Sequence, residues 1–311
     1  MTSNTLRTIV LTFAFFLLII PAANAASTTP IQPQPCAPGI ELRLSALQAR
    51  QGSLLAAILI SGKPLTEIKG TWDGHEVPFW VARPWQNGRT ERQEALLSID
   101  LEKAPGTYEL ILSGKTADDT PFTCKASVRV TLGHFPTESL QVAKQFAEPD
   151  EEQTKRANAE REKLRAIFDQ ITPQPLWKGS FRKPLDIPST GGNFGKRRIL
   201  NGIPGSPHSG IDFPAPTGTP IHAAQAGKVV LAEELYFSGN TVVIDHGLGI
   251  YTFYGHLSEI GVKVGDELRS GQVLGKVGAT GRVTGPHLHW GLYVNHARVN
   301  GLDILKILGQ K

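Results

Sequence analysis

A chain of 311 residues, 40% hydrophobic and 19% charged, has the make-up of a folded protein of about two domains and excludes long disorder. Its formal charge of +4 is a weak basic excess that suits an anionic surface such as a cell wall. No arginine–lysine cluster interleaved with aromatics is present, so the expectation is no nucleic-acid partner.

In chain order, residues 1–25 read as a signal peptide. Arg7 precedes an apolar run over 9–20, then Pro21 and the small-x-small site Ala23-Asn24-Ala25. The run is shorter than the roughly 20 residues a spanning helix needs. Cleavage is expected before Ala26; an uncleaved anchor is the alternative. Cleavage would leave no stable membrane insertion and an exported chain, periplasmic or cell-wall associated. Residues 26–39 are rich in Ser, Thr, Pro and Gln and read as a flexible lead-in. Over 40–133 come some seven short alternating segments, among them "LLAAILI" and "CKASVRV", separated by turn signals. This pattern predicts an antiparallel β-sandwich, immunoglobulin-like in general form. Cys36 and Cys124 are an even count in an exported chain, which favours a disulfide. Residues 134–175 read as a helical connector, with a helix over 150–171. Asp150 can serve its N-terminus. Glu151–Lys155 and Glu152–Arg156 are spaced as i,i+4 pairs. Ala157, Leu164, Phe168 and Ile171 form its apolar stripe, and Pro173 and Pro175 stop it. From 176 to 311 the texture is glycine-punctuated strand, and seven of the nine histidines fall there.

The stretch "GPHLHW" places His287 and His289 one residue apart. In a strand they share a face with Gly291 and Tyr293, while Leu288, Trp290, Leu292 and Val294 form an apolar face that should be buried. Two imidazoles aimed at one spot suit a metal site or an acid–base site. "PHSGIDF" supplies His208 and Asp212. In a straight strand these would stand about 13 Å apart, too far to share one zinc. Pro207 and Gly210 oppose a helix, so the chain must bend between them, and Gly210 permits that. A bent loop meeting the histidine strand can build a His₂Asp site with a fourth position open. "YGHLS" adds His256. His75, His222, His246 and His296 read as structural or solvent-facing.

"HSGID", "YGHL" and "TGPHLHW", in that order, resemble the signature blocks of the lysostaphin/LytM-type zinc metallopeptidases, which cut peptidoglycan peptides. The flanking "GNFGKRR", "GNTVVIDHGLG" and "VGDELRSGQVLGKVGATGR" agree, and the resemblance covers about 176–300. More loosely, 40–132 resembles the β-sandwich that precedes this domain in some bacterial members. The resemblance implies a mainly β protein: an N-terminal sandwich, a connecting helix, and a C-terminal two-layer antiparallel β metallopeptidase domain. It implies one Zn²⁺ per chain on His208, Asp212 and His289, with His256 and His287 as the catalytic pair. The implied function is a zinc-dependent endopeptidase hydrolysing peptide cross-links or stem peptides of peptidoglycan. The alternative is a non-catalytic wall-binding activator of another murein hydrolase. The chain has no H-E-x-x-H, so a histidine must carry the proton that a glutamate carries in other zinc peptidases. It has no G-x-S-x-G elbow either. A biotinyl-type carrier is disfavoured, because nothing marks Lys276 as presented at a hairpin tip.

Overall fold

The computed structural model describes residues 33–84, 86 and 90–309. The signal-peptide reading of 1–25 lies outside them, as does the lead-in before residue 33; the end of that expected flexible lead-in, Gln34–Ala37, is instead a strand carrying the disulfide-bonded Cys36. The described chain is mainly β, arranged as several largely antiparallel sheets.

Two five-stranded sheets face each other in the N-terminal part. One runs in the order Gln34–Ala37, Ile40–Leu44, Leu54–Ser61, Glu91–Ser98, Trp80–Arg83. The other runs Gln48–Arg50, Pro121–Thr131, Gly106–Thr116, Leu65–Trp72, His75–Val77. Alternation along Pro121–Thr131 buries Phe122, Cys124, Ala126, Val128 and Val130 and exposes the residues between them. Leu42, Leu59, Leu97, Leu110 and Leu112 complete that core. Cys36 and Cys124 are disulfide-bonded, with Cα atoms 4.7 Å apart, and tie the first strand across to Pro121–Thr131.

The stretch 134–175 carries more than helix. Thr137–Leu140 pairs in parallel with Arg197–Leu200, which in turn pairs with Ile203–Pro204. A short helix, Lys144–Ala147, precedes the main helix, Glu151–Phe168. Asp150 caps that helix in a capping box: its side chain accepts from the Gln153 amide, and the Gln153 side chain accepts from the Asp150 amide. Arg156 pairs with Glu160 at 2.7 Å rather than with Glu152. The reason is tertiary: Glu160 also accepts the Tyr236 amide at 2.7 Å, so it is already held in place.

A nine-stranded sheet forms the C-terminal part. Its main path is Gly210–Pro214, His287–Val294, Ile250–Ile260, Gly239–Asp245, Gly227–Leu235, Glu267–Leu268. Leu288, Trp290, Leu292 and Val294 are fully buried on one face, with Phe213, Ile244 and Tyr254 in the same core. The opposite face carries the histidines. Beside them the main helix covers the sheet, with Phe168 stacked on Tyr293 at 3.9 Å and packed against Tyr251. The two β regions share contacts: Leu54 and Leu96 of the sandwich belong to the C-terminal core.

Candidate metal centre

The centre sits where the edge strand Gly210–Pro214 pairs with His287–Val294. Register places Asp212 opposite His289, and Gly210 opposite Gly291. His208 lies just before the edge strand, and the chain bends so that its Nε2 stands 3.0 Å from Asp212 Oδ1. Gly210 keeps a negative φ, so its part in the bend is space rather than conformational freedom. A Cβ there would lie 2.5 Å from His289 Nε2 and 2.8 Å from the Trp290 carbonyl oxygen.

His208 Nε2 and His289 Nδ1 are 2.8 Å apart, and His289 Nδ1 is 3.2 Å from Asp212 Oδ1. Tetrahedral bonds near 2.1 Å separate ligand atoms by about 3.4 Å. The three donor atoms therefore already form one face of such a tetrahedron, slightly contracted. Two imidazole nitrogens and a carboxylate oxygen are a donor set that suits zinc. The fourth direction is left to a solvent or substrate oxygen. Among the described residues these three are the group able to hold a metal ion.

Neighbouring groups hold the donors in register. His208 Nδ1–H donates to the Asn193 carbonyl at 2.9 Å, which leaves Nε2 bare for a metal. The second carboxylate oxygen of Asp212 accepts from Arg198 at 3.3 Å. Burial opposes ionisation of Asp212, but hydrogen bonds to His208 and His289 outweigh it and hold the carboxyl below its usual range. Burial pushes His289 down to about 4, against the pull of Asp212. Its imidazole is thus neutral at neutral pH, as a metal ligand must be.

Two further imidazoles border the triangle. His287 Nε2 is 3.5 Å from Asp212 Oδ1, while its Nδ1–H donates to the Gly285 carbonyl at 2.8 Å. His256 lies 4.8 Å from His287 and 5.9 Å from His289, ring centre to ring centre. His256 has φ +67°, the left-handed region. Its strand shifts register here and beyond it pairs with Val273–Val277, so the strained residue marks where the sheet splits. Its Nδ1–H donates to the Thr280 carbonyl at 2.8 Å. Burial, with His289 and His287 close by, pushes it down to about 3. Both rings therefore turn Nδ1–H onto a backbone carbonyl and leave Nε2 as the ring nitrogen not bound to a carbonyl.

All five residues named from the sequence converge on this spot. The other histidines do not. His246 is fully buried and bonds the Ala226 carbonyl and Thr252, His222 bonds the Gly271 carbonyl, His296 bonds Asp169, and His75 stays exposed. Sequence reasoning assigned no role to Arg198 and Arg282, although both lie in stretches quoted for the resemblance, "GNFGKRR" and "GATGR". Each lines both hollows that adjoin the cluster, of about 520 and 730 Å³, as does His256.

A bare-faced His–Asp–His triangle on an antiparallel β sheet, bordered by free imidazoles and open to a groove, defines a metallopeptidase-type domain. Residues 206–301 match the model of peptidase family M23. A crystal structure from Pseudomonas aeruginosa assigned to peptidase M23 is 32% identical, with a TM-score of 0.55, over 82% of this chain and 94% of that one. The chain belongs to peptidase family M23. Among curated relatives, the peptidoglycan DD-endopeptidase ShyC of Vibrio cholerae is 43% identical over 125 residues, 40% of this chain and 29% of ShyC. ShyA of the same organism is 47% identical over 97 residues, 31% of this chain and 23% of ShyA. The chain thus spans under a third of the length of these curated relatives.

Proposed function

We propose that this chain is a zinc-dependent endopeptidase that hydrolyses peptide cross-links or stem peptides of bacterial peptidoglycan, in an exported, wall-facing setting. The observation that carries this reading is the convergence of His208, Asp212 and His289 with two imidazoles that each spend Nδ1–H on a backbone carbonyl. His208, Asp212 and His289 would hold the metal. Zinc at such a site supplies Lewis acidity, polarising a carbonyl and lowering the pKa of a water toward about 7. His256 and His287 handle the protons: one takes a proton from the attacking water, the other gives one to the leaving amine or steadies the developing oxyanion. Their tautomers suit this, because each Nδ1–H is already committed to a carbonyl. A purely non-catalytic, activating role needs none of these five side chains kept in register, and the family match and the names of the curated relatives also favour catalysis.

The test is digestion of purified murein sacculi, with released fragments read by mass spectrometry. The expected result is soluble muropeptides that disappear on chelation and return with zinc. Sacculi left intact by zinc-loaded protein, together with faster digestion by an added second hydrolase, would establish the activator instead.

A further inference from the structure

Two guanidinium groups border the metal cluster; Arg198 braces Asp212, and the chemistry above gives neither a contact with substrate. Arg198 reaches Asp212 with one terminal nitrogen, and its Nε is buried without a hydrogen-bond partner. The Arg282 guanidinium carbon lies over the Phe237 ring, 4.4 Å from its centre, and the Arg282 backbone amide donates to the Phe237 carbonyl at 2.8 Å. Among the described residues no carboxylate pairs with Arg282. The acidic groups lining the two hollows are Asp212 and Glu138, and Glu138 is held by Lys196 at 2.9 Å. Burial, reinforced by the charge of Arg198, pushes Arg282 down to about 10. A part-buried cation with donors to spare, lying over an aromatic face beside a second cation, is a site suited to an anion.

We propose that Arg198 and Arg282 form a carboxylate-recognition subsite beside the metal centre, so that the preferred substrate carries a free carboxylate next to the scissile bond. This rests on the peptidase reading and narrows it. A D-Ala–diaminopimelate cross-link carries a carboxylate on the carbon bearing the scissile nitrogen. An internal bond of a glycine bridge carries none. The planar guanidinium fork matches a carboxylate and not the equally shaped carboxamide, which lacks the charge and replaces one acceptor with a donor.

The experiment compares two peptides on the zinc-loaded full-length chain: a D-Ala–diaminopimelate cross-linked dimer, and the same dimer with that carboxylate converted to the carboxamide. Affinity for both is also measured by calorimetry on His287→Ala protein, where cleavage is suppressed. The expected preference for the acid is about 10- to 100-fold, in kcat/KM for the wild type and in Kd for the silenced protein. Arg282→Gln should cut the preference to within about threefold, and Arg282→Lys should restore part of it, since charge without the fork recovers only part of the interaction. Zinc content checks that each variant is folded. Equal handling of acid and amide by the wild type, or a preference that survives Arg282→Gln, overturns the subsite. Should the wild type cleave neither peptide, the peptidase reading falls, and the calorimetric ratio still decides the subsite.

Discussion

At the scale of single residues, the centre rests on which nitrogen each histidine leaves free. His208, His256 and His287 all spend Nδ1–H on backbone carbonyls, of Asn193, Thr280 and Gly285. Their Nε2 atoms then differ only in what stands opposite. That of His208 is in the triangle, while His287 Nε2 stands beside it, 3.5 Å from Asp212 Oδ1. This difference predicts two classes of variant. His208→Ala and Asp212→Ala should lose zinc and activity together. His256→Ala and His287→Ala should keep about one zinc per chain, while cleavage falls by about 10²- to 10⁴-fold. Metal analysis beside a muropeptide assay checks both; loss of zinc in His287→Ala equal to that in His208→Ala would refute the division of roles. His246 offers a separate readout in pH. It is fully buried and bonded to Ala226 and Thr252, and burial pushes it down to about 4 from the ordinary 6.5. Unfolding between about pH 6.5 and 4 therefore takes up as much as one proton at His246. The stability it allows is complete above about 6.5 and is lost as pH falls through that window to about 4, amounting to about 3 kcal/mol. In chelated protein, denaturant titrations should show a stability-against-pH slope between 6.5 and 4 that is shallower by up to about one proton in His246→Gln.

At the scale of elements, what the sequence disclosed followed the strength of its periodicity. The alternation after Pro286 is complete because one face is buried against Phe213 and Tyr254 and the other opens to the groove. A one-residue slip would put two imidazoles in the core and Trp290 in water, so the register was legible. The main helix was legible too in its Asp150 cap and apolar stripe, although it ends at Phe168, short of Ile171 and the prolines. Thr137–Leu140 was not: "TESL" has no inward face of its own, and it becomes a strand only because Arg197–Leu200, sixty residues on, offers an edge. Arg198 and Arg282 were hidden for a related reason. An arginine in a polar, glycine-rich stretch reads as solvated until the fold shows what closes over it. The paired cysteines were legible from their even count and the expectation of export. Their bond closes a separation of 88 residues, which in the chain-entropy model contributes about 4–5 kcal/mol as an upper figure. The Cys36→Ser/Cys124→Ser protein should therefore unfold at clearly lower denaturant, by about 2–5 kcal/mol, and native protein should take up alkylating reagent only after reduction. Unchanged stability in the double variant would show the bond to be incidental.

At the scale of the whole molecule, the sandwich and the peptidase sheet are joined by more than a connector. Leu54 and Leu96 lie in the C-terminal core, the Asn295 side chain donates to the Leu96 carbonyl at 3.3 Å, and the Asn300 amide donates to the Gly52 carbonyl at 2.8 Å. At the centre of this seam Arg298 forks onto Asp100, with bonds of 3.0 and 2.7 Å, and its own amide adds a third at 2.9 Å. Arg298 also reaches Glu102, and the Leu101 amide returns a bond to the Arg298 carbonyl at 3.1 Å. Arg298 belongs to Ala297–Val299, which pairs with the histidine strand itself, Arg298 opposite Tyr293. The seam is thus one strand away from His289. Burial opposes ionisation of Asp100, and Arg298 overrides it and keeps the carboxyl below its ordinary range. Arg298→Ala removes the fork and leaves that carboxylate part-buried without its partner, which should cost about 1–3 kcal/mol. The part of this stability that comes from Asp100 is present above its ordinary range near 4 and is lost as pH falls through the lowered folded value. The difference between wild type and Arg298→Ala should therefore be full at pH 7 and shrink in strong acid. Calorimetry should give one joint unfolding transition for the wild type, since its two cores share buried side chains, and a lower or divided transition for the variant. Two separate transitions already present in the wild type would mean that the seam does not couple the sandwich to the sheet that carries the metal centre.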